Sequence, residues 1–307
     1  MHRPVSQPNP RFAMAFSLLE LIVVALMLAL PFAYESSPKF RYYLKFAIYY
    51  GLVMTTAVFV IPIMMFRPGE VKNLLLASFL CRHISKLVGL RWEIRGKEHL
   101  EKDMACIIVA NHQSSLDILG MFDLWPVMDK CTVVAKKELL YAWPFGLAAW
   151  LCGLIFIDRH NSNTAKESMN QATKHIQDNK IKLWIFPEGT RNNVGAMLPF
   201  KKGAFHVAVS GQIPILPVVF SSYYFLDHAK KTFNEGRVIM TCLPPIETTG
   251  LCKDDIEKLV EQTRNDMIAE FHRTSAEVLL DVNRSKSDGN LKSEKIVREE
   301  GTKIEES

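Results

Sequence analysis

No CxxC pair and no Cys–His spacing suited to zinc occurs in these 307 residues. The six cysteines, Cys81, Cys106, Cys131, Cys152, Cys242 and Cys252, stand singly along the chain. A structural zinc site needs paired ligands, so neither a metal centre nor a disulfide framework is supported. The pattern fits reduced, mostly buried thiols. Gly-x-Ser-x-Gly is missing, which removes the nucleophile elbow of serine hydrolases. A P-loop is missing too, which leaves nucleotide hydrolysis without support. Gly and Pro number only 15 each, with no short repeat, and this excludes collagen-like and low-complexity classes. There is no dense Lys/Arg block. The 37 Lys+Arg against 32 Asp+Glu leave a net charge of +5. That excess is too mild and too dispersed for a dedicated nucleic-acid binder, and it leaves anionic lipids and phosphorylated substrates open.

What the chain does have is apolar residues, 49% of the total, unevenly placed. Phe12–Tyr34 carries one charge, Glu20, and Phe46–Phe66 carries none. A helix of about 20 residues crosses a hydrocarbon core. Both segments are therefore read as membrane helices, forming an N-terminal hydrophobic hairpin within residues 1–66. The first is the weaker of the two, because a mid-membrane carboxylate costs about 2.5–3.5 kcal/mol. Arg3 and Arg11 precede the hairpin, and Arg67, Lys72, Arg82 and Lys86 follow it. Lys39, Arg41 and Lys45 lie between its arms. The balance favours a cytosolic N-terminus and main domain, and a re-entrant hairpin in one leaflet fits equally well. Residues 67–283 read as the main domain. Residues 284–307 read as a disordered tail, since half of them are charged and none is aromatic.

Beyond Arg67, short apolar β-rich runs alternate with helical stretches. The runs are Cys106–Ala110, Thr132–Ala135, Leu154–Ile157, Lys182–Phe186, Ile215–Phe220 and Val238–Cys242, with Leu90–Arg95 as a seventh. Wholly apolar runs of this length suit strands covered on both faces. The alternation predicts an α/β domain with a mostly parallel or mixed sheet flanked by helices. Ala165–Asn179 and Asp254–Leu280 read as helices. Phe145–Ile157 is apolar but too short to span a bilayer, so it reads as a helix running into a strand.

Four stretches carry candidate chemistry. Asn111-His112-Gln113-Ser114-Ser115-Leu116-Asp117 follows the first of those apolar strands, at a strand end where α/β folds place reactive side chains. His112 suits proton transfer near neutral pH. On a continuous helix, positions five apart are separated by about 140°. His112 and Asp117 can therefore meet only if His112 sits on the turn and Asp117 in the first helical turn. Ser114-x-x-Asp117 resembles a capping box that would start such a helix. A helix cap with a satisfied turn histidine fits the same residues. In Phe186–Arg191 (FPEGTR), Gly189 permits a tight turn and Arg191 offers a phosphate-matching fork, although an ordinary turn with a surface arginine has the same residues. Gly153–Arg159 (GLIFIDR) delivers Asp158 and Arg159 to a strand end. Ile213–Val218 (IPILPV) holds two prolines, which exclude a regular central strand throughout, so pocket lining and edge packing are both open.

The order His112/Asp117, Arg159, Glu188–Arg191, Pro214/Pro217 resembles the four blocks of the glycerolipid acyltransferase family. Phe186–Tyr223, together with GLIFIDR and NHQSSLDILG, is similar to the 1-acylglycerol-3-phosphate acyltransferases, also called lysophosphatidic acid acyltransferases. The resemblance covers roughly residues 40–280. It implies the glycerolipid acyltransferase fold. It also implies transfer of an acyl chain from acyl-CoA to the sn-2 hydroxyl of lysophosphatidic acid, giving phosphatidic acid. By the same resemblance, His112 is the general base and Asp117 orients it. Glu188, Gly189, Thr190 and Arg191 form the acceptor site, and Arg159 adds a second positive charge. Backbone N–H groups near the His112 turn would stabilise the oxyanion, while Lys201 and Lys202 read first as solvated charges. No bound cofactor and no metal is implied, acyl-CoA being a substrate. The implied partners are lysophosphatidic acid, acyl-CoA and a membrane, and the implied location is the endoplasmic reticulum with a cytosolic catalytic domain. A sibling enzyme with another lysophospholipid or glycerol-3-phosphate as acceptor is the nearest alternative. A non-catalytic lipid-binding protein is the alternative of a different class.

Overall fold

The computed structural model describes residues 10–158 and 173–305. Its helices in chain order are α1 (Pro10–Ser36), α2 (Pro38–Met64), α3 (Asn73–Cys81), α4 (Ile84–Leu87), α5 (Glu98–Glu101), α6 (Asp117–Met128), α7 (Phe145–Leu151), α8 (Gly203–Ser210) and α9 (Ile256–Glu305). The strands are β1 (Leu90–Arg95), β2 (Cys106–Ala110), β3 (Cys131–Lys136), β4 (Ile155–Ile157), β5 (Lys182–Ile185), β6 (Ile215–Phe220), β7 (Leu226–Asp227), β8 (Thr232–Phe233) and β9 (Gly236–Cys242). The chain forms two compact units. One runs up to Ile48 and includes Phe225–Asn234; the other comprises Tyr49–Tyr224 and the chain from Glu235 onward.

The larger unit is built on a seven-stranded sheet in the order β1-β9-β6-β2-β5-β3-β4. Strands β6, β2, β5, β3 and β4 run parallel to one another, and β9 and β1 run the other way. The sheet is thus mixed. All seven apolar runs are strands within it. The central strand β2 (CIIVA) is buried at every residue, as a strand covered on both faces must be. On one face, Ile107, Val109, Leu183, Ile215 and Val219 meet Phe205 and Ala208 of α8 and Leu259, Met267 and Phe271 of α9. Each such aliphatic or aromatic burial contributes about 1.5–3 kcal/mol.

Pro217 departs from an edge placement, because β6 is interior, between β9 and β2, but it does line a pocket with Leu243, Pro244 and Pro245. The Pro217 carbonyl accepts from Leu243 N–H at 2.9 Å. The N and C=O of one strand residue point to the same side, so the hydrogen-free nitrogen of Pro217 faces the segment just past the end of β9. The missing N–H thus falls in the gap between the β6–β9 ladder and the isolated Ile215–Ile246 bridge.

The two apolar segments are helical, Ser37 alone separates α1 from α2, and α2 belongs to the smaller unit only as far as Ile48. Lys39, Arg41 and Lys45 therefore lie on α2 rather than in a loop. Pro38 cannot extend the preceding helix, and Ser37 Oγ accepts the Phe40 N–H at 3.2 Å, capping the new one. The short β7–β8 ribbon has no apolar run to announce it. It packs on α2 through Phe46 and Phe233, with ring centroids 5.3 Å apart, and through a 2.7 Å contact between Tyr42 Oη and His228 Nδ1. Among the described residues, α2 is the one helix long and apolar enough to cross a membrane. Within the larger unit, Tyr49, Val53, Ala57, Val60 and Met64 of α2 are buried, while Val58, Phe59 and Ile63 are exposed.

The backbone of α9 continues to Glu305, past Arg284 where the charged tail begins. Among the residues whose side chains are described, Val278 is its last buried apolar position. Of the expected helix Ala165–Asn179, residues 173–178 are helical, and 159–172 lie outside the described residues.

Candidate functional site

The parallel strands bring the sequence blocks to one edge. β2 and β5 are neighbours, with Val109 opposite Ile185, so the turns after them emerge side by side. The first turn carries His112 and the second carries Glu188. β3 lies on the other side of β5 and ends at Lys136. β4 delivers Asp158 next, while Arg159 lies outside the described residues.

His112 and Asp117 meet in the only way their spacing allows: His112 is on the turn and Asp117 is the first residue of α6. Nδ1 of His112 lies 2.6 Å from Oδ2 of Asp117. Asp117 is fully buried and accepts two main-chain bonds, Gln113 N–H on Oδ2 at 2.9 Å and Ser114 N–H on Oδ1 at 3.1 Å. With both oxygens already accepting, the hydrogen between the two side chains belongs to Nδ1 and the lone pair to Nε2. The Phe186 ring stacks on the imidazole, with centroids 4.0 Å apart and planes at 19°. The capping box is only half made. Asp117 takes the Ser114 N–H, but Ser114 Oγ accepts from Leu116 N–H at 3.3 Å, inside the turn.

Glu188 joins the two turns. Its Oε1 accepts His112 N–H at 2.8 Å, and its Oε2 accepts Leu198 N–H at 2.8 Å. Asn192 N–H returns a bond to the His112 carbonyl at 2.7 Å. Burial raises the Glu188 carboxyl above the ordinary range, and the His112 and Leu198 amides partly offset this. Gly189 has φ +70° and lies against Lys201. The positive φ is the reason the turn needs glycine, since the Lys201 chain end could swing away from an added Cβ. Thr190 and Arg191 are exposed.

The N–H groups of His112, Gln113, Ser114 and Leu116 are all engaged by side chains. The turn therefore offers none of these four to an oxyanion, contrary to expectation. The physical reason is that a buried carboxylate beside a turn takes the nearest amides.

Several supports escaped the sequence reading. Asn111 exchanges two bonds with Phe220, donating from Nδ2 at 3.0 Å and accepting at Oδ1 at 2.8 Å, which extends β2–β6 pairing by one residue. Gln113 Nε2 donates to the Ser221 carbonyl at 2.9 Å. Tyr49 Oη donates to the Ser115 carbonyl, and Tyr50 Oη meets Ser115 Oγ, each at 2.8 Å. Their signal was a Tyr-Tyr pair inside a run with no charge. Arg264 of α9 donates to the Met197 and Leu198 carbonyls at 2.7 and 3.1 Å, holding the loop whose amide Glu188 grips. Nothing local in the sequence marks it.

An apolar cavity of about 490 Å³ opens beside His112. Val53, Ala57, Val60 and Met64 of α2, Met121 and Trp125 of α6, and Ala148 and Ala149 of α7 are among its walls. His112, Phe186, Thr190, Arg191 and Lys136 also line it. Lys136 was not singled out from sequence, because it lies one residue beyond the apolar run of its strand. Among the described residues, neither Lys136 nor Arg191 makes an ion pair, and no three His, Cys, Asp or Glu converge as metal ligands.

Residues 91–221 match the Acyltransferase family model. The chain is 40% identical over 264 residues to the human 1-acyl-sn-glycerol-3-phosphate acyltransferase alpha, covering 86% of this chain and 93% of that one. It is 37% identical over 252 residues to the human beta enzyme, covering 81% and 90%. The crystal structure of the 1-acyl-sn-glycerophosphate (LPA) acyltransferase PlsC from Thermotoga maritima has a TM-score of 0.58 at 22% identity, covering 76% of this chain and 98% of that one. That last likeness is one of fold. The identity to the human enzymes takes in both turns of the site and most of the chain around them, and it makes this chain a member of the 1-acyl-sn-glycerol-3-phosphate acyltransferase family.

Proposed function

We propose that this chain transfers an acyl group from acyl-CoA to the sn-2 hydroxyl of lysophosphatidic acid, releasing phosphatidic acid and free CoA. The observation that carries the reading is the 2.6 Å contact of His112 Nδ1 with buried Asp117 on the wall of an apolar cavity. With Nδ1 held by the carboxylate, Nε2 takes the proton from the sn-2 hydroxyl. The oxygen attacks the thioester carbonyl, the C–S bond breaks, and the proton passes to the leaving thiolate. Asp117 orients the ring and stabilises the imidazolium that forms. Glu188 acts as the brace between the turns. Arg191 and Lys136, exposed and without an ion pair among the described residues, supply cations for the acceptor phosphate. Arg159, close in sequence to the β4 end, adds a third. The apolar cavity takes an acyl chain.

α2 buries one face and exposes an apolar one, so we read it as lying in a single leaflet of the endoplasmic reticulum membrane with the catalytic domain in the cytosol. Residues 1–66, 67–283 and 284–307 remain the functional division: membrane segments, catalytic domain and charged tail.

The test offers membranes bearing wild type or His112→Ala labelled oleoyl-CoA, with lysophosphatidic acid, glycerol-3-phosphate and lysophosphatidylcholine in parallel. Phosphatidic acid made only by wild type and only from lysophosphatidic acid is expected. Transfer to another acceptor changes the substrate and keeps the chemistry. No transfer by folded wild type to any of them leaves a lipid-binding protein.

A further inference from the structure

Residues 137–151 form a self-packed knob with two unlike faces. Its inner face is the cavity wall: Leu139, Phe145, Ala148 and Ala149 line the cavity, with Cys152 just beyond. Its outer face carries Tyr141, Trp143, Leu147 and Trp150, which are 75%, 73%, 37% and 52% exposed. Leu147 and Trp150 are three apart on α7, so they share the helix face turned away from the buried Ala148 and Ala149. The knob is rigid. Gly146 donates its N–H to the Ala142 carbonyl at 2.8 Å, and a Cβ there would stand 2.1 Å from the Leu140 carbonyl oxygen. Two tryptophans and a tyrosine fixed outward on a folded surface mark a contact site.

The neighbouring element says which kind. Cys152 Sγ lies 3.7 Å from Met64 Sδ at the end of α2, and the Leu151 carbonyl accepts Gly69 N–H at 2.9 Å. α2 and the knob are thus adjacent walls of one cavity. The outer face of α2 there is also apolar and exposed, at Phe59 and Ile63, as are Met65 and Phe66 just past its end. Exposed Lys136 and Lys137 precede the aromatic ridge. Aliphatic side chains flanked by Trp, Tyr and Lys are the composition of an interfacial membrane element. A hydrophilic partner offers nothing to such a ridge.

We propose that the 137–151 knob is a second membrane-seated element, independent of the N-terminal helices. Tyr141, Trp143 and Trp150 lie at the headgroup level of a phospholipid bilayer, and the seam between the knob and α2 is where an acyl chain passes laterally between lipid and cavity. The inference rests on the acyl-transfer reading for the cargo, but not for the membrane contact.

The full chain, reconstituted in phosphatidylcholine vesicles containing phosphatidic acid, tests it through tryptophan quenching by phosphatidylcholine brominated near the top of its acyl chains. Trp125 and Trp184 are buried and Trp92 is half-buried with its Nε1–H bonded to Ser85, so Trp143 and Trp150 dominate the accessible signal. Strong quenching in wild type, most of it lost in W143F/W150F, is expected. Equal quenching in both, or none in wild type, overturns the proposal. This readout needs no turnover, so it stands or falls apart from the enzymatic reading. A second arm uses W143S/W150S. Its rate on vesicle-borne lysophosphatidic acid should fall several-fold, while its rate on a short-chain, water-soluble analogue stays at the wild-type level. Equal loss on both substrates, or a wild-type dimer that the variant converts to monomer, assigns the ridge to folding or to a second copy and overturns it.

Discussion

The turn at His112 and the loop edge at Arg191 lie on the same cavity and are built in opposite ways. At the turn, Asp117 is fully buried, Glu188 is nearly so, and the main-chain amides of His112, Gln113, Ser114 and Leu116 are each accepted by a side chain. At the edge, Thr190 and Arg191 face solvent, and among the described residues Arg191 has no ion pair. Along the second loop, buried Glu188 and exposed Arg191 are only three residues apart. The difference teaches a division of labour. Proton transfer depends on sub-ångström placement, which only a saturated buried network maintains. A phosphate carried on a lipid is met by a long, solvated cation that follows it.

If this division holds, damage at the turn should affect turnover and damage at the edge should affect acceptor affinity. His112→Ala should lower the acyl-transfer rate by about 10²–10⁴-fold. Retention of more than a tenth of the wild-type rate would remove His112 as base. Asp117→Asn should cost a comparable factor in kcat with little change in either KM, because the amide presents the wrong partner to Nδ1.

Glu188→Gln sharpens the comparison from inside the brace. Gln can accept one of the two amides but sets an NH₂ against the other. That should cost about 1–3 kcal/mol of stability and a clear loss of kcat, read by thermal unfolding and steady-state kinetics. Unchanged melting would mean that water replaces one of the bonds. Arg191→Ala should raise KM for lysophosphatidic acid while sparing kcat and KM for acyl-CoA. The reverse split would exchange the two pockets. Arg264→Ala, which frees the Met197–Leu198 carbonyls, should combine smaller versions of both effects, with partial rescue by Arg264→Lys.

The smallest effect is expected far from both regions. Glu277 of α9 pairs with Arg95 at 2.6 Å, and that hydrogen-bonded pair holds its carboxyl down to about 2. A depressed carboxylate contributes stability above its unfolded pKa and loses it as pH falls through the folded value. Glu277→Gln should therefore lower the melting temperature slightly at neutral pH, and the gap to wild type should close between about pH 4.5 and pH 2. The pair is partly exposed, so the effect is modest. A gap that widens on acidification would contradict the assignment.

Much of this was legible before any coordinates. The interior strands β2, β5, β3 and β6 show as apolar runs, because a strand covered on both faces has few polar positions to disguise it, whereas the edge strand β1 (LRWEIR) carries three charges and is only partly buried. The Leu226–Phe233 ribbon does not show, because two-residue strands carry no periodicity. The single-residue break at Ser37 was hidden by the basic residues around it, which read as a loop and turned out to lie on a helix.

By itself the sequence determined the fold class, the one geometry in which His112 and Asp117 could meet, and the membership of Glu188 and Arg191 in a second strand-end block. These follow from local spacing and from which residue types can be buried. Only the tertiary structure decided that Glu188 braces the His112 main chain, that the turn keeps none of these four amides for an oxyanion, and that Lys136, Tyr49 and Arg264 belong to the site. The Glu188–His112, Tyr49–Ser115 and Arg264–Met197/Leu198 contacts join residues more than 50 positions apart, whereas the Gln113, Ser114 and Leu116 amides are taken up within the turn itself. Hydrogen-bond partners at such separations are chosen by the order of strands in the sheet, and a single chain read from end to end does not state that order.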